Sequence, residues 1–111
     1  VLNIIGDVDG KVCIVPDDMI DTAGTLSNAS HALKSKGAKE VIAFITHPVL
    51  SGNAIENINS SAIDKLIVSN SIDIGDKLKK CPKIDVFDIS DVLSEAIKRI
   101  TTGDSISELF R

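Results

Sequence analysis

Residues Val12 to Leu26 read VCIVPDDMIDTAGTL. An apolar run, Val12–Val15, is followed by Asp17 and Asp18, then by Asp21, then by a small-residue turn, Thr22-Ala23-Gly24-Thr25. Helical spacing begins past the turn. This order predicts a strand, an acidic loop, an anion-binding turn and a helix. A buried strand would deliver the loop to the carboxyl edge of a sheet, where open α/β sheets bind ligands. Gly24 lets the backbone come close to a ligand. The free N–H groups and the dipole at the helix start favour a phosphate, and Thr22 and Thr25 add hydroxyl donors. Carboxylates do not bind that phosphate; they accept hydrogen bonds from sugar hydroxyls beside it. The stretch therefore points to a phosphorylated sugar. Asp, Thr and Gly are also ordinary turn and cap residues, so the weight of the reading rests on their order.

The 111 residues suit one domain with a real core. Hydrophobic residues make up 43% and charged residues 25%, the balance of an ordinary globular chain. A net charge of −4 and a pI near 5.0 give no basic footprint, which argues against nucleic acid. No apolar run approaches the roughly 18 residues needed to span a membrane, so no membrane partner is expected. No signal-peptide pattern is present. Cys13 falls in the apolar strand and Cys81 precedes Pro82 in a connector. They lack metal-ligand spacing, and a reducing, cytoplasmic setting is expected. The chain opens on Val1 rather than a methionine, which suggests a fragment or a processed chain.

Around the opening stretch, strands and helices alternate. Leu2–Asp7 and Lys11–Val15 flank Asp9-Gly10, a hairpin signal that predicts an antiparallel pair. The helix after the acidic loop is expected over Gly24 to Lys36, with Leu26, Ala29, Ala32 and Leu33 on one face and Gly37 as its stop. His31 lies near the polar side. Val41–Ile45 reads as a second buried strand, and the loop through Ser51-Gly52 leads to a short helix with Ala54, Ile55 and Ile58 inward. Leu66–Val68 is a third strand. Ile74–Lys80 is a charged connector with a short helix, and Ile84–Val86 a last strand. Ser90–Thr102 carries Val92, Leu93, Ala96, Ile97 and Ile100 on one stripe, with Lys98 and Arg99 suiting the helix dipole and Gly103 its stop. Polar residues at strand carboxyl ends are where function tends to sit. His47 is the one acid–base group there, and a hydrogen-bonded structural histidine is the simpler reading. The alternation implies an α/β fold with a mostly parallel sheet, right-handed crossovers and an antiparallel start.

The acidic stretch closely resembles the phosphoribosyl pyrophosphate motif of type I phosphoribosyltransferases and ribose-phosphate pyrophosphokinases, D-D-x-x-D-T-x-G-T after apolar residues. Pro16 stands where an aliphatic residue is usual. Proline is confined to edges or strand ends, which leaves the reach of the strand open. Four further stretches resemble ribose-phosphate pyrophosphokinases in that family's order. They are Thr46-His47-Pro48-Val49-Leu50-Ser51-Gly52, Val68-Ser69-Asn70-Ser71-Ile72, Asp88-Ile89-Ser90 with Leu93-Ser94-Glu95-Ala96-Ile97, and Ser105-Ile106-Ser107 with Leu109-Phe110. Asn53 replaces a usual proline after Ser-Gly. The matches run the length of the chain.

This resemblance implies a three-layer type I phosphoribosyltransferase-like fold with helices on both faces of the sheet. It implies that residues 1–111 are the C-terminal domain of a longer two-domain enzyme that moves the β,γ-pyrophosphoryl group of ATP, with Mg²⁺, onto the anomeric hydroxyl of ribose 5-phosphate. Most ATP contacts, the catalytic lysine and arginine of a mobile loop and the main metal-site residues would lie outside this chain, which is then expected not to turn over alone. By the same resemblance Asp17 and Asp18 would hold ribose hydroxyls, directly or through a metal-bound water. Asp21, Thr22, Ala23, Gly24 and Thr25 would wrap the 5-phosphate. Ser105, Ser107 and Phe110 correspond to a regulatory segment that takes phosphate or ADP between subunits, which implies a homo-oligomer; a packed tail with capping serines is the plainer alternative. Two other readings stay open: a non-catalytic, synthetase-associated regulatory subunit, and a stand-alone type I phosphoribosyltransferase, for which no hood or pyrophosphate loop is visible.

Overall fold

The computed structural model describes residues 4–110. Strand β1 spans Val12–Ile20, helix α1 Gly24–Ser35, β2 Glu40–Pro48, α2 Ala54–Asn59, β3 Lys65–Ser69, α3 Lys77–Lys80, β4 Ile84–Phe87 and α4 Ser90–Thr102, with a 3-10 turn at Ser107–Phe110. The four strands form one sheet in the order β1-β2-β3-β4, and every pairing is parallel. The expected α/β class with a parallel sheet is therefore present.

The core lies on one face of this sheet. Ala43 and Ile45 of β2 and Leu66 and Val68 of β3 pack with Ala54 and Ile58 of α2, with Leu26 of α1 against the same cluster. Ile74 and Cys81, on either side of α3, complete it. Right-handed crossovers that step steadily in one direction put their helices on the same side. The strand order has no reversal, so α1 and α2 share a face. The opposite face carries no helical cover among the described residues: Val12, Ile14, Phe44 and Phe87 are exposed there. Helix α4 does not supply that cover, since none of its residues is buried and its apolar stripe stands in solvent, with Ile97 65% and Ile100 67% exposed. The radius of gyration is 16.4 Å, against about 13 Å for a compact 100-residue domain. Helices on both faces, expected from the family resemblance, are thus not formed by the described residues.

The antiparallel hairpin is also absent among the described residues; Val1–Asn3 lie outside them, and residues 4–11 contain no strand. The Asp9-Gly10 turn exists, with Lys11 N–H donating to the Val8 carbonyl at 3.0 Å, but it serves a different contact. Gly10 N–H donates to the Gly37 carbonyl at 2.8 Å, docking the turn on the end of α1. Gly37 has φ +93°, and a β-carbon there would collide with the Asp9 carboxylate. The turn is shaped for that glycine rather than for a returning strand.

Strand β1 runs through Pro16 to Ile20, farther than the expected Val15. It is an edge strand, the place where a proline without an N–H is tolerated. Asp17 and Asp18 consequently sit on the strand, not in a loop.

Candidate functional site

A cleft of about 370 Å³ opens at the carboxyl end of β1, between that strand and the start of α1. Six of the seven residues expected to hold the sugar phosphate line it: Asp17, Asp21, Thr22, Ala23, Gly24 and Thr25. Val15, Ile45, Leu26 and Ala29 form its apolar wall. Asp18 is not part of the lining. Successive side chains of a strand point to opposite faces, so extending β1 through both carboxylates separates them. Asp18 N–H instead donates to the Asp17 carboxylate at 2.8 Å.

The turn into α1 is made by Ala23, which has φ +66° and is 6% exposed. The left-handed residue is therefore the alanine before Gly24. Gly24 contributes space instead: a β-carbon there would meet nothing within 4 Å. The first helical hydrogen bond runs from Ser27 N–H to the Ala23 carbonyl at 2.9 Å. The N–H groups of Gly24, Thr25 and Leu26 precede that ladder, as at any helix start. Helix α1 has no side-chain cap bond and no acidic residue in its first turn. Its positive end is thus left for an anion.

The segment after β2 buttresses this turn. Val49 and Leu50 N–H both donate to the Ile20 carbonyl, at 3.0 and 3.2 Å, and Ser51 N–H donates to the Asp21 carbonyl at 3.1 Å. The Ser51 hydroxyl donates to the Asp21 carboxylate. Asn57 Nδ2 donates to the Thr22 carbonyl at 2.7 Å. Leu50, itself at φ +51°, is held by Lys77 Nζ, which donates to its carbonyl at 2.9 Å. Sequence reasoning did not single out Ser51 or Asn57 as site residues. The Ser51-Gly52 step at the end of a strand adjacent to β1 is the signal that could have found the first; Asn57 has none.

His47 lies outside the cleft lining, with Nδ1 2.8 Å from the Ser71 hydroxyl. Ser71 Oγ is also within donating distance of the Thr46 carbonyl at 3.1 Å. At the end of β4, Asp88 accepts from Asn70 Nδ2 and from Ser90 N–H, at 2.9 and 2.7 Å. The Ser90 hydrogen bonds and that of Asn70 hold its carboxyl below the usual range. Ser105 and Ser107 come together, their hydroxyls 2.8 Å apart, and Arg99 Nη1 donates to the Ser105 carbonyl at 2.9 Å. The side chain of Phe110 falls outside the described residues. Among the described residues, no three His, Cys, Asp or Glu side chains converge as a metal-ligand set, and no helix is long and apolar enough to cross a membrane.

The whole chain, residues 1–111, matches the family described as "Phosphoribosyl synthetase-associated domain". A ribose-phosphate pyrophosphokinase of Xanthomonas campestris pv. campestris is 51% identical over 110 residues, 99% of this chain and 34% of that protein. Ribose-phosphate pyrophosphokinase 3 of Saccharomyces cerevisiae is 53% identical over 108 residues, 97% of this chain and 34% of that protein. The crystal structure of phosphoribosylpyrophosphate synthetase from Mycobacterium smegmatis superposes with a TM-score of 0.84 at 38% identity, covering 89% of this chain and 33% of that one. The chain spans about a third of the length of the curated relatives it matches.

Proposed function

The chain belongs to the phosphoribosyl synthetase-associated domain family, and from that premise we propose that it is the ribose 5-phosphate-binding, C-terminal part of a ribose-phosphate pyrophosphokinase. The observation that carries this reading is the cleft at the end of β1. It combines a carboxylate, Asp17, with two threonines, a glycine whose missing side chain leaves open space, and an uncapped helix start. A phosphate needs N–H and hydroxyl donors, and a sugar needs acceptors for its hydroxyls. Both are present within one cavity of about 370 Å³.

In this reading Thr22 to Thr25 receive the 5-phosphate, and Asp17 accepts from ribose hydroxyls. Asp18, on the other face of β1, makes no direct contact with the sugar in this reading. Holding the sugar by both ends fixes its anomeric oxygen, and such positioning supplies up to about 7–11 kcal/mol of a barrier. ATP would be delivered by the N-terminal domain of a complete, homo-oligomeric cytoplasmic enzyme, and the 111-residue chain alone would not turn over. Ser105, Ser107 and Phe110 would belong to a regulatory phosphate or ADP site. Mg²⁺ bound with ATP supplies charge neutralisation on the transferring group. The described residues of this chain do not offer a full ligand set for it, so the contribution of the chain is to bind and orient the sugar.

The test is calorimetric titration of the chain with ribose 5-phosphate, with and without Mg²⁺. Saturable binding that is lost in Asp17→Ala with Gly24→Val is expected. A folded chain that binds no ribose 5-phosphate under either condition would contradict the proposal.

A further inference from the structure

We infer that Ser51 and Asn57 are positioning residues of the cleft, setting the shape of the ligand turn from outside it; the inference rests on the sugar-phosphate reading above. Neither residue lines the cavity. Both act on the backbone that leads into it. Residues 20–22 receive five hydrogen bonds from the 49–57 segment: two at the Ile20 carbonyl, one at the Asp21 carbonyl, one at the Asp21 carboxylate and one at the Thr22 carbonyl. Three come from backbone N–H groups that any residue but proline would keep. The two that depend on side chains are those of Ser51 and Asn57.

The direction of these bonds matters. In a trans peptide the carbonyl of one residue and the N–H of the next point to opposite sides. Drawing the Asp21 and Thr22 carbonyls toward the 51–57 segment therefore turns the N–H groups of Thr22 and Ala23 away from it. Neither N–H has a protein acceptor among the described residues. Asn57 fixes the peptide immediately before Ala23, the residue held at φ +66°. An isolated alanine does not favour that conformation, so the turn needs an outside hold to present its N–H groups together.

The Ser51 hydroxyl has a second consequence. It occupies the Asp21 carboxylate, so that a negative charge lining the cavity is turned onto a donor of the neighbouring loop. The structure thus separates two carboxylates that look alike in sequence. Asp17 accepts only from the N–H of its own neighbour in β1, Asp18, whereas Asp21 is tied to the neighbouring segment and holds the turn.

The experiment compares the 111-residue chain with Ser51→Ala, Ser51→Thr and Asn57→Asp. Two readouts are taken: amide hydrogen exchange at residues 49–51 and at Ser27, whose N–H groups are bonded to the Ile20, Asp21 and Ala23 carbonyls of the turn, and calorimetric affinity for ribose 5-phosphate. Ser51→Ala and Asn57→Asp are expected to speed exchange at those amides and to weaken binding roughly tenfold to a hundredfold, the scale of one hydrogen bond to a charged group. Ser51→Thr, which keeps the hydroxyl, is expected to restore both, a rescue that general loss of packing would not show. Unchanged exchange and affinity in both Ser51→Ala and Asn57→Asp would overturn the positioning role while leaving the ligand assignment standing. A wild-type chain that binds no ribose 5-phosphate would overturn the ligand assignment, and with it any role of the two residues in that site, whatever the exchange shows.

Discussion

Val41 and Asp64 exchange two hydrogen bonds between β2 and the residue before β3, at the amino end of the sheet. Asp64 N–H donates to the Val41 carbonyl at 2.9 Å, and the fully buried Val41 N–H donates to the Asp64 carboxylate at 2.7 Å. Lys34 of α1 reaches the same carboxylate oxygen at 2.9 Å. One side chain before β3 therefore ties together α1, β2 and the start of β3. Asp64→Ala would leave the Val41 N–H buried without a partner, at a cost of about 1–3 kcal/mol. Urea denaturation of the two chains checks this.

The same carboxylate sets an acid dependence. The Lys34 hydrogen bond, followed by that of the Val41 N–H, holds the Asp64 carboxyl below its ordinary value of 3.8. Its folded pKa is lower than its unfolded one, so its stabilisation is full above the unfolded value of about 3.9 and is lost as pH falls through the folded value. Both side chains are partly exposed, so the ion pair itself contributes no more than about 1 kcal/mol. Asp64→Asn should flatten the stability profile below pH 4 and leave its shape above pH 5 unchanged. An identical acid limb in the variant would contradict the assignment.

Gly24 and Ala23 should respond oppositely to added bulk. Gly24→Ala places a methyl in open space and should leave stability unchanged or raise it by up to about 1 kcal/mol. The larger Gly24→Val would fill the space proposed for the phosphate and should abolish ribose 5-phosphate binding in a chain that still folds. Ala23→Val forces a β-branched residue into a buried position at φ +66° and should cost about 2 kcal/mol or more. Thermal unfolding beside calorimetry separates the two; normal binding by Gly24→Val would remove the cradle.

Helix α4 should be indifferent to polarity on its apolar stripe. Ile97→Gln and Ile100→Gln alter side chains that are 65% and 67% exposed and should each cost under about 0.5 kcal/mol in the isolated chain. Leu66→Ala in the fully buried core should cost about 2–5 kcal/mol. Equal losses at Ile97 and Leu66 would show that α4 is packed in solution.

The elements whose apolar spacing is self-contained were legible in the sequence. Ser90–Thr102 is helical with those bounds, α1 starts at Gly24, and the three inner apolar runs are β2, β3 and β4. What failed depended on neighbours. The Asp9-Gly10 turn is real, but its partner is Gly37, 27 residues on by sequence number, and no local pattern names it. Pro16 is harmless only because β1 is at the sheet edge, a fact of strand order. The separation of Asp17 from Asp18 follows from that longer strand. The cleft itself was legible, since six of its lining residues are consecutive or nearly so. Asn57 was not, because a lone amide in a short helix carries no sign of the carbonyl it will meet.

The turn between β1 and α1 is the proposed seat of a sugar phosphate. The most direct measurement is a two-dimensional amide NMR titration of the 111-residue chain with ribose 5-phosphate. The expected result is saturable shifts concentrated at residues 21–25 and absent from the Gly24→Val variant. Shifts confined to other parts of the chain, such as Ser105 to Ser107, or none in a folded chain, would rule out a sugar-phosphate site at this turn.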